Sequence, residues 1–436
     1  MVRRLMIQAL FFYLVLSTLG TILRLKLIFP LFPDLPYIHL LHAHSHIAFL
    51  GWANVALMAL IIFFSFPEQG ERLYAFKPFF WSLWFINSGL VLAFLAQAYG
   101  PISIAFSTLS VVLSVWFAIL YFRHHTVSKT SRMAVRFVST GVILYVSSAV
   151  GLVMVALSMA AKIGGEGLFH AGVYFYLHSQ SNGWMIFSLL GTLLLFLHEQ
   201  GIAPDERRLR LSWLLLMSGF LPSYLPQIYF LNLPGWLIAL GVLGTFGSWL
   251  GVFLFWRETF SHMLRSLHVP WLRMLFLYFV AAIMMKYGLE GIGSFPIVAA
   301  MIETNRPIII GYLHLTLLGV VSSYIFLSLF GFGLVANRLG SSPSARSTSG
   351  LSTPPAPSAR GFVYAYMFLS FAMVFLLFLW GLAIWSGFPV DGGRLNGMLA
   401  VISGLLAVIG LIPLRTLLTL KNVRHVTELR KHSGYT

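Results

Sequence analysis

The chain alternates long apolar runs with short polar stretches. A helix needs about 20 mainly apolar residues to cross a bilayer. Twelve runs meet that length, over residues 5–28, 39–65, 78–98, 103–122, 134–160, 168–198, 211–230, 235–257, 271–290, 308–336, 362–387 and 394–420. The first is too long for the apolar core of a cleaved signal peptide, and no small-residue cleavage site follows it, so it is expected to remain as a span. Residues 337–361 (NRLGSSPSARSTSGLSTPPAPSARG) break the pattern and predict a flexible linker. The expected organisation is spans one to ten over 1–336, the linker over 337–361, spans eleven and twelve over 362–420, and a basic tail over 421–436. No short-period repeat stands out, and two six-span halves remain open.

Composition sharpens this picture. Hydrophobic residues make up 58% of the chain and charged residues only 9%, against about 25% charged in soluble proteins. Mean hydropathy is +0.86. A water-soluble fold and intrinsic disorder are both excluded, leaving an all-α polytopic membrane protein. The absence of cysteine excludes disulfides, zinc–thiolate sites, iron–sulfur clusters and thioether-linked haem. The net charge of +16 does not point to nucleic acid, because it is spread over short loops. With the N-terminus inside, 22 Lys and Arg fall on the inner side and six (Arg24, Lys26, Lys162, Lys286, Arg306, Arg394) on the outer. That bias predicts both termini in the cytoplasm.

Ionisable groups within a bilayer are costly, and each is a functional candidate. Seven of the fourteen histidines lie at inner ends or loops and read as interfacial residues. The other seven lie where even-numbered spans begin: His39, His42, His44 and His46 in span two, His170 and His178 in span six, and His314 in span ten. At 1.5 Å per residue His42, His178 and His314 sit roughly 5, 15 and 9 Å deep. Three histidines distant in sequence thus share the outer half of the membrane, as a cofactor held between helices requires. His39, His42 and His46 share one helix face, with His44 turned away from His42. The cluster HLLHAHSH also reads as a local metal site or as an interfacial cluster. His178 precedes a polar turn, Ser179 to Asn182, which must face protein, cofactor or water. Acidic residues fall at the two faces, Glu290 among those at the outer one, which argues against a proton-coupled transporter with a midplane site. Pro222 and Pro226 are expected to break span seven.

These motifs resemble subunit I of the haem–copper oxidases, nearest the cbb-type cytochrome oxidases and then the nitric oxide reductases. LLHAHSHIAFLGW resembles the helix-two motif, YLHSQSNGWMIFSLLG the helix-six copper motif and YLHLTLLGVV the helix-ten motif. The resemblance implies a low-spin haem b between His42, with His46 as fallback, and His314. It implies copper at His178, and Arg394 in VDGGRLNG as partner of the haem propionates. It also implies a bacterial inner membrane, a quinol or c-type cytochrome as electron partner, and room for accessory subunits.

Two departures matter. The high-spin haem position is Tyr312, a residue able to ligate haem, and span seven has no histidine. Two of three copper ligands are missing, so the low-spin site reads as kept and the oxygen-reducing centre as largely lost. The expected role is membrane electron transfer. Two rivals stand beside it: an oxygen or nitric oxide reductase with a non-standard centre at His178 and Tyr312, and an NnrS-like haem and copper protein using His42, His44 and His46. A transporter with interfacial histidines is the plainest alternative.

Overall fold

The computed structural model describes residues 1–66, 76–125, 132–332 and 357–419. Twelve of its helices are long and apolar enough to cross a membrane, and no strand occurs among the described residues. They are α1 (Val2–Lys26), α2 (Tyr37–Ser65), α3 (Phe76–Gln97), α4 (Pro101–His124), α5 (Arg132–Ala160) and α6 (Gly165–Glu199), followed by α7 (Glu206–Leu231), α8 (Gly235–Ser266), α9 (Pro270–Gly293), α10 (Arg306–Gly331), α11 (Ser358–Trp385) and α12 (Gly392–Thr419). The chain is an integral, multi-pass membrane protein. Each expected span has its helix. Most of the linker, residues 337–356, and the tail 421–436 lie outside the described residues; 358–361, expected in the linker, begin α11.

Local chemistry sets the helix ends. Asp205 caps α7 by accepting the N–H of Arg207 at 2.8 Å, and Asn305 caps α10 by accepting that of Ile308 at 3.3 Å. Proline opens α4 and α9, where its missing N–H costs nothing. Helix α8 runs well past its expected end at 257. Its Glu258 accepts the N–H of Asp205 at 2.8 Å and pairs with Arg208 at 3.1 Å, which ties the extension to the start of α7.

Helices α2, α6 and α10 form the centre, and their apolar side chains are buried almost all round. The outer helices pack as neighbours: α1 on α12, α3 on α4, α7 on α8. Each central helix contains a π-helical turn, over Ala48–Ala53, Ser179–Met185 and Leu315–Ser322. Such turns cluster at functional sites. Each begins soon after a histidine, and each includes the glycine of an H-x4-G sequence: His46 to Gly51, His178 to Gly183, His314 to Gly319. This repeat, every fourth span, is the internal regularity that the sequence reading missed. At Gly51 a side chain is impossible without rearrangement, because a Cβ would come within 2.9 Å of the Phe12 ring on α1.

Polar side chains lace the π turns together. Trp184 of α6 donates to Asn54 Oδ1 of α2 at 2.9 Å, and Asn54 donates in turn to Gln180 Oε1 at 3.3 Å. Gln180 donates to Ser148 of α5 at 3.0 Å. Each group satisfies another where water is absent.

Candidate functional site

The bundle end at which α2, α6 and α10 begin holds two polar sites, one on either side of α10. The first is built from α1, α2, α10 and α12. The imidazoles of His44 and His314 face each other with ring centres 6.5 Å apart and planes inclined by only 20°. His44 Nδ1 donates to the Leu16 carbonyl at 2.9 Å, and His314 Nδ1 donates to the Ile310 carbonyl at 2.8 Å. In both rings Nδ1 carries the proton and Nε2 keeps a free lone pair, the tautomer a metal ligand needs. A Cβ on Gly20 would lie 3.1 Å from His44 Cε1, so glycine there lets the ring lie against α1. Arg24, one turn further along α1 and on the same face as Gly20, donates to Asn396 Oδ1 of α12 at 3.1 Å.

This geometry replaces His42 with His44 as the partner facing His314. His42 and His46 lie on the α3 side. His42 packs edge-on against Tyr99 at 4.3 Å, and His46 stacks on Phe94 at 4.2 Å. Tyr99 lies 3.1 Å from His46 Nε2, and burial pushes its phenol above the ordinary value, so it remains a donor. His39 Nδ1 donates to the Leu95 carbonyl at 2.9 Å. The reason is helix phase. Leu40, Ala43 and Ile47 form the buried stripe of α2, and His44 falls within that i, i+3, i+4, i+7 pattern. His42, about 160° round the helix from His44, belongs to the opposite face. Arg394 is largely exposed and pairs with Asp391 at 3.1 Å.

The second site lies between α6, α7, α9 and α10. Its centre is an ion pair that the sequence reading put at the outer surface: Lys286 and Glu290, one turn apart on α9, meet at 2.8 Å. Lys286 is fully buried and Glu290 is 12% exposed. Both side chains are buried although they stand within the last two turns of α9, which continues to Gly293. Glu290 Oε1 accepts from Lys286, from Asn182 at 2.9 Å and from the Tyr312 hydroxyl. Lys286 also donates to Asn182 Oδ1.

His178 is buried beside this pair. Its Nε2 donates to the Phe220 carbonyl at 2.7 Å, and its Nδ1 accepts from Gln227 Nε2 at 2.8 Å. The expected break in α7 explains both contacts. Pro222 and Pro226 turn Pro222–Leu231 into a 3-10 segment, which frees the Phe220 carbonyl and aims Gln227 inward. Both His178 nitrogens are thus engaged, and the hydroxyl of Tyr312 is given to Glu290. Among the described residues no group of three metal-ligating side chains converges. In particular His44 turns toward α1 and α10, away from His42 and His46.

A cavity of about 470 Å³ adjoins this network, bordered by His178, Gln227, Glu290 and Tyr312 and otherwise mainly by apolar side chains. No family model and no curated protein matches the chain.

Proposed function

We propose that this chain is a haem-binding membrane protein of the haem–copper oxidase subunit I type, with one low-spin haem b held between His44 and His314. The carrying observation is the facing pair of imidazoles. Two imidazoles that each bound one metal at about 2 Å, with about 1.1 Å from nitrogen to ring centre, would stand with their ring centres about 6.2 Å apart. The observed 6.5 Å agrees. The Leu16 and Ile310 carbonyls hold both rings in the right tautomer and orientation. Arg24 is the cation suited to a haem carboxylate, in place of Arg394. Without cysteine the haem is held non-covalently, as a b-type haem is.

A haem with two imidazole ligands supplies one-electron transfer and has no open position for oxygen. The engaged His178 and the Tyr312–Glu290 bond support the reading that the copper and high-spin haem centre has been lost. The charge bias supports cytoplasmic termini, and the resemblance alone points to a bacterial inner membrane. A quinol or a c-type cytochrome is the electron partner.

The test is haem stoichiometry by pyridine haemochromogen assay on detergent-purified protein produced with ample haem. One haem b per chain is expected in the wild type and in His42→Ala, and none in His44→Ala or His314→Ala. A wild type without haem overturns the proposal, as does stoichiometric haem in His44→Ala.

A further inference from the structure

The cavity between α6, α7, α9 and α10 has a polar end of unusual character. Glu290 Oε1 receives three hydrogen bonds, whereas Oε2 has no partner among the described residues. Gln227 donates its amide N–H to His178, and its Oε1 is likewise without a partner. Both residues border the cavity. The donors within the network itself are engaged elsewhere: Tyr312 and Lys286 on Glu290 Oε1, His178 on the Phe220 carbonyl, and Ser223 on that same carbonyl at 3.0 Å. Two acceptors without donors call for a ligand that brings its own hydrogens.

The remaining chemistry narrows the class. Lys286 already neutralises Glu290, so a cation gains little there and a neutral ligand is favoured. The walls are mainly apolar and include the rings of Phe230, Phe378 and Trp385, which suit a flat aromatic body. The cavity lies between membrane-spanning helices, within reach of lipid-soluble compounds.

We propose that this cavity binds the head group of a quinol, a neutral lipid-soluble aromatic diol, which donates hydroxyl hydrogens to Glu290 Oε2 and Gln227 Oε1. The choice of a quinol among aromatic diols rests on the electron-transfer reading; the preference for a hydrogen-donating ligand rests on the two acceptors alone. A quinone has only carbonyl oxygens and repeats the acceptors of the site, so the reduced form binds more tightly than the oxidised form.

The test is anaerobic equilibrium binding of decylubiquinol and decylubiquinone to the full-length protein in lipid nanodiscs. Decylubiquinol is expected to bind at least tenfold more tightly. Glu290→Gln reduces this preference. Ile309→Trp fills the cavity from its apolar wall without touching the ion pair, and is expected to abolish binding even if Glu290→Gln fails to fold. Equal affinity for the two forms overturns the proposal, as does unchanged binding in Ile309→Trp. The same assay on His44→Ala separates the two readings, because His44 does not border the cavity. Quinol binding in a protein that never takes up haem leaves this site standing and removes the haem. Stoichiometric haem without quinol binding does the reverse.

Discussion

Trp52 of α2 donates its indole N–H to the hydroxyl of Ser322 on α10 at 2.7 Å. Each residue lies eight positions beyond its histidine, 44 to 52 and 314 to 322. The two helices are therefore pinned at the same depth below the two rings, and the pin lies in their π turns. Trp52→Phe removes it. A buried neutral hydrogen bond contributes about 1 kcal/mol, so the midpoint of thermal unfolding in detergent should fall by about 1 °C for a chain of this length. Haem should remain bound with broadened visible bands. An unchanged spectrum and midpoint would show that the pin does not set the spacing.

Gly20 offers a test of ring placement that leaves both histidines intact. In Gly20→Val the new side chain meets His44 Cε1, starting from a Cβ contact of 3.1 Å. Haem content should drop severalfold while the protein stays monodisperse on gel filtration. Gly404→Ala is the control, since its Cβ would meet Thr21 at an ordinary 3.8 Å. Equal loss in both variants would indicate a general packing defect.

Arg24 and Arg394 make opposite predictions for the redox potential. A nearby cation favours the reduced haem, whose charge is less positive. Removing it in Arg24→Gln should lower the midpoint potential by on the order of 50 mV at an effective dielectric near 20. Arg394→Gln should leave it within a few millivolts, because that side chain is exposed and paired with Asp391. Spectroelectrochemical titration of the three proteins decides between the two arginines.

The Lys286–Glu290 pair predicts a non-additive stability pattern. Breaking a buried pair from one side leaves an uncompensated charge and costs about 3–5 kcal/mol. Lys286→Met and Glu290→Gln should therefore each lower thermal stability strongly. The double variant should recover much of the loss, because no charge is then stranded. Additive losses in thermal unfolding would mean that the pair is not coupled as its 2.8 Å contact implies.

Hydropathy made the twelve spans legible, because a bilayer imposes a length that few other environments do. The histidine spans were legible for the same reason. Which histidine of span two turns inward required the stripe of Leu40, Ala43 and Ile47. That periodicity was present in the sequence, but the motif resemblance outweighed it and pointed to His42. Lys286 and Glu290 read as surface groups because they stand near the end of span nine. Their i, i+4 spacing was the available signal of a pair. Gln227 had no signal beyond the two prolines that bracket its turn. The π turns depend on packing among three helices, and only the H-x4-G recurrence announced them.

Those turns also decide where the central helices tolerate the loss of a residue. A π turn accommodates one residue more than an α turn, so deleting a single residue from 48–53 or 315–322 lets the helix close up as ordinary α-helix with its two flanks in nearly the same phase. The same deletion from an α-helical stretch between the histidine and the core turns one flank by about 100° relative to the other. There His44 or His314 would swing out of line while the hydrophobic character of its helix was left almost untouched. Loss of one amino acid should therefore silence the site from the regular parts of these helices sooner than from their π turns.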